Sequence, residues 1–122
     1  MLDHLGIQSR DIPASSAFYD TVLATLGARR MMEFGDVIGY GVERPDFWIS
    51  PATSPGTGFE THVAFTASSR AAVQAFHDAA VGAGAEVLHA PRVWPEYHPT
   101  YFGAFVRDPD GNNVEAVCHA PE

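Results

Sequence analysis

The stretch Asp108-Pro109-Asp110-Gly111-Asn112-Asn113-Val114-Glu115 decides the fold of this chain. Asp, Pro, Gly and Asn are typical of tight turns, because they adopt or stabilise the backbone angles that a chain reversal needs. Largely apolar runs flank the turn at 101–107 and 113–118, so the stretch predicts a hairpin of two strands. Glu115 is the only carboxylate inside the second of these runs.

The first half of the chain predicts a strand, a helix and two or three further strands. The first eight residues predict the opening strand. Asp11 then suits a helix N-cap, and Gly27 lies where a C-terminal stop is expected. One helical face is apolar at every fourth position: Phe18, Val22 and Leu26. The strand-like runs that follow cover 29–34, 37–42 and 47–50.

The second half predicts the same order of elements. Ser68 or Ser69 suits the N-cap of a second helix, which is expected to end near Gly82 or Gly84. The strand-like runs of this half cover 61–66, 85–88, 101–107 and 113–118. Between the halves, the stretch from Pro51 to Gly58 has the Pro, Gly, Ser and Thr content of a linker.

An internal repeat relates the two halves. Three pairs of identical residues are separated by 58 positions: His4 and His62, Phe18 and Phe76, and Asp20 and Asp78. A module of about 60 residues is marginal alone, so the two are expected to pack together or to pair across a dimer. The predicted organisation is a single α+β domain over 1–122, with module one at about 1–50, a linker at about 51–60 and module two at about 61–119.

Composition excludes several classes of function. The 122 residues are 46% hydrophobic with a net charge of −8, and the chain has no Lys, which disfavours a nucleic-acid or anionic-membrane binder. The single cysteine, Cys118, excludes an internal disulfide and multi-cysteine metal sites. Neither a membrane-spanning run nor a secretory signal is evident, so a cytoplasmic location is expected.

Strand alternation selects two of the six histidines. Alternate residues of a strand point to opposite sides of its sheet. In the first strand Leu5 and Ile7 are expected to meet the helix, which places His4 on the other face. In the strand at 61–66 the same alternation places His62 on the face away from its own helix. These two histidines are equivalent in the repeat, so a pseudo-two-fold axis could bring them together.

Glu115 could complete a metal site with these histidines. A lone buried carboxylate is costly unless it is paired or bound to a metal ion. Two imidazoles and one carboxylate suit a divalent ion such as iron, manganese, nickel or zinc. We therefore predict one divalent metal ion held by His4, His62 and Glu115. The alternative is that each histidine has an ordinary structural partner and that Glu115 forms an ion pair with Arg107.

The segment 89–101 is the extra length of module two. Such a long loop in a small domain is usually functional, and its aromatic content argues against disorder. The segment could form a pocket wall and lid, or a plug over the open end of the sheet. Its candidates for proton transfer or substrate orientation are His98 and Tyr101. Its candidates for substrate binding are Arg92, Trp94 and Tyr97.

The chain resembles a known superfamily. The opening Asp3-His4-Leu5-Gly6-Ile7, the pair Phe18-Tyr19 and the run 105–115 are similar to the vicinal oxygen chelate group of glyoxalase I, bleomycin-resistance proteins and extradiol dioxygenases. The resemblance implies two βαβββ modules whose curved mixed sheets form a metal-binding cup. It also implies that His4, His62 and Glu115 are ligands and that the protein is a homodimer.

One position departs from the glyoxalase pattern. The resemblance implies a fourth ligand on the last strand of module one, where this sequence has Trp48, and an indole cannot bind a metal ion. We therefore assign Trp48 to substrate binding. The predicted function is a metal-dependent lyase, isomerase or ring-cleaving dioxygenase acting on a small substrate with neighbouring oxygens. The alternative is a metal-free protein that sequesters a drug or other small molecule.

Overall fold

The computed structural model describes residues 1–53 and 58–121 and confirms the two βαβββ modules. Module one contains β1 (Leu5–Ser9), α1 (Ile12–Ala24), β2 (Arg29–Phe34), β3 (Val37–Gly41) and β4 (Phe47–Pro51). Module two contains β5 (His62–Thr66), α2 (Arg70–Gly82), β6 (Val87–Val93), β7 (Phe102–Arg107) and β8 (Asn113–Cys118). The fold is α+β, as the repeat predicts.

Each module has one four-stranded mixed sheet. The strand orders are β1-β4-β3-β2 and β5-β8-β7-β6, so the two sheets have the same topology. The first strand of each module runs parallel to the last, and the other pairs are antiparallel. The two sheets are curved and neither closes into a barrel.

Both helices begin at the residues that the sequence marks. The Asp11 side chain accepts a hydrogen bond from the backbone N–H of Ala14, and that of Ser69 accepts one from Ala72. These bonds satisfy backbone donors that have no partner within the helix. Past each helix a glycine takes a left-handed backbone conformation, with φ of 81° at Gly27 and 83° at Gly84, as the predicted stops require.

The prediction for the second run of module two is wrong in its length. The expected strand at 85–88 is β6, which extends to Val93, so the loop that follows is only 94–101. Two register irregularities let β6 continue through Pro91 at the edge of its sheet. The predicted linker at 51–60 begins at the last residue of β4, and its positions 54–57 lie outside the described residues.

Alternation along the strands agrees with the sequence analysis. Ile7 and Val63 are buried in a core that both modules share, and Leu5 and Phe65 pack against it. Residues that alternate with these on β1 and β5 are exposed, and His62 is one of them. Neither helix in the described part of the chain is both long enough and apolar enough to cross a membrane.

Asp108 joins the two modules. It is 5% exposed, and its Oδ2 accepts a hydrogen bond of 2.7 Å from the Tyr19 hydroxyl on α1. Its carboxylate also accepts bonds from the backbone N–H groups of Asp110 and Asn112 and from the Asn112 side-chain amide. Asp108 therefore fixes both the β7–β8 turn and the position of α1 against it.

Tyr19→Phe is expected to lower the free energy of unfolding by about 2 kcal/mol, because the buried Asp108 carboxylate loses a donor. The control is Thr21→Val, which removes an exposed hydroxyl that bonds to the Ala17 carbonyl on the same helix. Its change is expected to stay within about 0.5 kcal/mol. Urea denaturation measures both values, and equal losses in the two variants would contradict the role given to Asp108.

Stability is expected to fall above about pH 10, because three phenols are held neutral in the fold. Burial raises the pKa of Tyr19, Tyr40 and Tyr101 above the usual range, and the neighbouring carboxylates raise it further. Unfolded phenols ionise first, so the stability present below pH 10 is lost as the pH rises. Tyr19→Phe should make this loss less steep by up to about 1.4 kcal/mol per pH unit. Urea denaturation between pH 8 and 11 measures the slope, and an unchanged slope would contradict the prediction.

Candidate functional site

The candidate site is a cluster of His62, Glu115 and Tyr101 on the face of the module-two sheet that points away from its helix. His62 Nε2 is 3.1 Å from Glu115 Oε1, and the Tyr101 hydroxyl donates a short hydrogen bond to Glu115 Oε2. The Glu115 side chain is 2% exposed, whereas that of His62 is 50% exposed. Both carboxylate oxygens thus have a partner, and the imidazole can be reached from solvent.

Strand register brings these groups together. Glu115 lies opposite Ala64 on β5 and opposite Phe105 on β7. Gly103 on β7 leaves the space in which Tyr101 reaches the carboxylate. A Cβ atom at Gly103 would lie 3.1 Å from Glu115 Oε2 and 3.2 Å from Tyr101 Cε1.

Aromatic side chains surround the cluster. Phe105 stacks on His62 with ring centroids 6.0 Å apart, and His89 meets Phe105 edge-on at 5.5 Å. Trp94 packs against Phe105 at 5.2 Å and is 6% exposed. The same face therefore joins an apolar floor to the polar group at Glu115.

The predicted substrate-binding residues of the loop form a stack. The Arg92 guanidinium lies 3.4 Å from the centroid of the Trp94 ring, and Tyr97 stacks on Trp94 at 5.7 Å. Arg92 is also paired with Glu96 at 3.2 Å. Of this stack, Tyr97 is the most open to a ligand, at 59% exposed. The described loop 94–101 is thus an ordered aromatic wall beside the cluster.

Tyr101 is a proton donor at neutral pH. Burial, followed by the hydrogen bond to Glu115, raises the pKa of its phenol above the usual range. The hydroxyl therefore keeps its proton and directs it at the Glu115 carboxylate.

The structure does not bring His4 to His62 and Glu115 within one chain. His4 Nδ1 bonds to Asp3 Oδ1 at 2.7 Å. A cleft of about 250 Å³ beside His4 is also lined by the β5 residues Val63, Ala64, Phe65 and Thr66, but not by His62. Within residues 1–53 and 58–121 of one chain, His4 thus does not join His62 and Glu115 in one group of ligands, and a site shared by the three stays a prediction.

The edges of the two sheets explain this separation. The start of β1 lies beside the end of β5. The end of β1 lies beside the start of β5, because Gln8 and Thr61 line a common cleft of about 660 Å³. The two strands thus pass in opposite directions, and equivalent residues are placed at opposite ends.

Trp48 occupies the position in module one that Glu115 occupies in module two. Trp48 pairs with Gly6 on β1, and Glu115 pairs with Ala64, the repeat equivalent of Gly6. The indole lies over Gly39, where a Cβ atom would be 2.8 Å from the ring, and Phe34 stacks on it at 6.3 Å. Module one therefore presents an aromatic face at this position.

His98 lies outside the cluster, in a contact that sequence spacing did not indicate. Its Nε2 is 2.6 Å from Nδ1 of His119, and its Nδ1 accepts a bond from the Thr100 backbone N–H. His119 follows the last residue of β8. His89 on the cluster face was also missed as a site residue. Because β6 has register irregularities on both sides of His89, simple alternation does not predict which face of the sheet His89 is on.

Arg107, the alternative partner that the sequence suggested for Glu115, is paired with other carboxylates. The Arg107 guanidinium forms ion pairs with Glu60 and, at 3.8 Å, with Glu86. Within residues 1–53 and 58–121, no group of three His, Cys, Asp or Glu side chains is placed to hold one ion. His62 and Glu115 nevertheless fit part of such a site. Their 3.1 Å separation is close to that of two neighbouring donors around an ion with bonds of about 2.1 Å.

The fold and this arrangement agree with a sequence-family match. The model of the Glyoxalase/Bleomycin resistance protein/Dioxygenase superfamily matches residues 1–116. The chain belongs to this superfamily. The resemblance of the 105–115 run and the opening residues is thereby confirmed. Superfamily members include enzymes, and membership by itself does not select one reaction.

Solved structures show the same superfamily fold. A glyoxalase/bleomycin resistance protein from Albidiferax ferrireducens T118 is 28% identical with a TM-score of 0.83, over 94% of this chain and 96% of that one. A lactoylglutathione lyase from Agrobacterium tumefaciens is 21% identical with a TM-score of 0.69, over 94% and 90%. Fosfomycin resistance protein from Mesorhizobium loti is 14% identical with a TM-score of 0.69, over 96% and 90%. The last two likenesses show the fold alone. No curated protein matches the sequence.

Gly103→Ala is expected to lower the free energy of unfolding by about 1–3 kcal/mol, because the new methyl group must displace the Tyr101 ring or the Glu115 carboxylate. The matched control is Gly82→Ala at the end of α2, where a Cβ atom meets nothing within 4 Å. That variant should be as stable as the wild type or slightly more so. Thermal unfolding of both checks this, and equal stability of the two variants would show that the contact is not tight.

Proposed function

We propose that this protein is a glyoxalase-like enzyme that uses one divalent ion, of iron, nickel, manganese or zinc, to act on a small substrate with neighbouring oxygens. His62 and Glu115 of one chain would hold the ion, and His4 of a second copy would complete the set. Trp48, Arg92, Trp94 and Tyr97 would contact the substrate. The observation that carries the proposal is the buried Glu115 carboxylate beside the accessible His62 imidazole.

A second copy is invoked because, within the described residues of one chain, His4 does not form one group of ligands with the other two donors. His62 has solvent access to a further partner, since half of its side chain is exposed. Module one presents His4, Gly6 and Trp48 on one sheet face, which matches the face of module two that bears His62 and Glu115 in the repeat. Two copies could therefore each contribute one face to a shared cup, and the active form would be a homodimer.

The chain's own residues suit a reaction that moves a proton. When bound, the ion would act as a Lewis acid toward neighbouring oxygens of the substrate. Tyr101 holds a proton at its hydroxyl and orients the Glu115 carboxylate through it. Phe105 and Trp94 limit the access of water to that carboxylate. We assign the site proton to Tyr101 rather than to His98, because the Tyr101 hydroxyl bonds to Glu115 whereas His98 bonds to His119.

The reaction class depends on the ion. A redox-active Fe(II) would permit ring-opening dioxygenation, whereas Ni(II), Mn(II) or Zn(II) would suit lyase or isomerase chemistry. Trp48 argues against the glyoxalase I reaction itself, because the carboxylate expected from that resemblance is replaced by an indole.

A second candidate is a metal-free protein that sequesters an aromatic or cationic small molecule. The stacked Phe34 and Trp48 rings and the 59%-exposed Tyr97 ring favour this alternative. The net charge of −8 would also attract a cation. Pure sequestration gives no reason for a buried Glu115 beside His62, so we rank it second.

Protein purified without chelators or nickel affinity resin should contain close to one divalent ion per chain. His62→Ala should abolish this content, because it removes the accessible donor, and elemental mass spectrometry measures it. The matched control is His77→Ala on α2, where the imidazole bonds to Asp78 and the ion content should not change. Wild-type protein that takes up none of Fe(II), Mn(II), Ni(II) or Zn(II) would contradict the proposal and turn attention to bleomycin and other aromatic cations as ligands.

Mixed dimers test whether two chains share one site. His4→Ala and His62→Ala should each lose the ion. After the two variants are refolded together, the mixed dimers should hold one intact site, which restores about a quarter of the wild-type content. Recovery of nothing would show that all the ligands come from one chain, and a His4→Ala variant that keeps its ion would show that His4 is not a ligand.

A further inference from the structure

The imidazoles of His98 and His119 form a pair with defined proton positions. The Thr100 backbone N–H donates to His98 Nδ1 at 3.2 Å, so this nitrogen accepts and carries no proton in the neutral ring. His98 therefore has its proton on Nε2, from which it donates to His119 Nδ1 at 2.6 Å. The pair links the loop 94–101 to the residue that follows β8.

A second bond strengthens this link. The Thr100 hydroxyl donates to the His119 carbonyl at 2.7 Å. Within the loop, the Tyr101 backbone N–H donates to the His98 carbonyl at 3.2 Å. A shift of His119 would therefore be transmitted to the backbone on which Tyr101 is carried.

The Tyr101 ring is enclosed by this assembly. Its centroid lies 5.3 Å from that of His98 and 5.2 Å from that of His119, with interplanar angles of 73° and 90°. Tyr97 meets it edge-on at 4.9 Å. Such edge-to-face contacts restrict the ring, and the hydroxyl at its far end is bonded to Glu115.

We propose that His119 is a positioning residue of the site, which acts through His98 to keep the Tyr101 hydroxyl on the Glu115 carboxylate. His119 cannot act on Glu115 directly, because it lies four positions farther along the chain, about 13 Å on an extended backbone. For its effect on a bound ion, the inference rests on the proposed function. The hold on Tyr101 itself does not depend on that function.

The first experiment follows Tyr101 in full-length, metal-free protein. Tyrosine labelled with ¹³C at Cζ reports the ionisation of each phenol by NMR as the pH is raised. In His119→Ala the pKa of Tyr101 should fall toward the ordinary value of a phenol, because its hydroxyl is released from Glu115. His119→Asn keeps an oxygen acceptor close to the position of Nδ1 but lacks the ring that meets Tyr101, so it should restore most of the wild-type titration. His77→Ala is the control for the loss of a histidine elsewhere.

The second experiment measures the dissociation constant for Ni(II) by calorimetry. His119→Ala should raise it about tenfold, as expected when a group that supports a ligand is lost. In a Tyr101→Phe background, the same substitution should have no further effect, because His119 acts through the Tyr101 hydroxyl. A merely structural role would weaken binding in both backgrounds.

Two results would overturn the inference. One is a Tyr101 titration that does not respond to His119→Ala, and the other is a failure of His119→Asn to restore it. If His119→Ala does not fold, Thr100→Val removes the other side-chain bond to His119 and should shift the Tyr101 titration in the same direction. If wild-type protein binds no metal ion, the proposed function fails, and the tyrosine titration alone decides the role of His119.

Discussion

The hydrogen bonds of Asp108 are the constraint on which the rest of the structure depends. A buried carboxylate is tolerated when several donors replace water, and here α1 and the β7–β8 turn both supply them. Because the turn is fixed, β8 pairs with β7 in one register, and that register places Glu115 opposite Phe105. The same carboxylate that holds the modules together therefore sets the position of the candidate site.

Glu115 is a second buried carboxylate, but its hydrogen-bond partners differ from those of Asp108. Asp108 is surrounded by donors from the backbone and from buried side chains, whereas Glu115 has His62 and Tyr101. The His62 side chain is 50% exposed, so Glu115 contacts an imidazole that can exchange its hydrogen-bond partner with solvent. The two carboxylates thus lie in one hairpin, Asp108 bonded to groups of the turn and of α1, and Glu115 beside an imidazole that solvent can reach.

Local signals in the sequence predicted most of the fold. The caps at Asp11 and Ser69, the hairpin turn and the alternation along β1 and β5 each depend on residues close together in the chain, and the structure agrees with them. The same alternation correctly put His62 and Glu115 on one face. The extent of β6 was missed because its irregularities and Pro91 interrupt the strand pattern.

Contacts between distant segments could not be predicted in this way. The direction in which β1 passes β5, and with it the place of His4 relative to His62, is a property of the packed modules. The bond between His98 and His119 joins a loop to the end of a strand 21 residues away, and no spacing rule covers such a contact. Site residues that share one sheet, such as His62 and Glu115, were therefore easier to place relative to each other than residues from different sheets, such as His4 and His62.

The indole of Trp48 has a consequence for the history of the chain. A repeat of this kind begins as two interchangeable copies, yet the indole lies over a glycine in module one, while module two has Phe105 in the position of that glycine. Replacement of Trp48 by Glu would leave a carboxylate above an empty space with no tyrosine to hold it. An exchange of this one residue would therefore not make the two modules equivalent. The two modules now differ at several contacting positions, so a single substitution does not restore their equivalence.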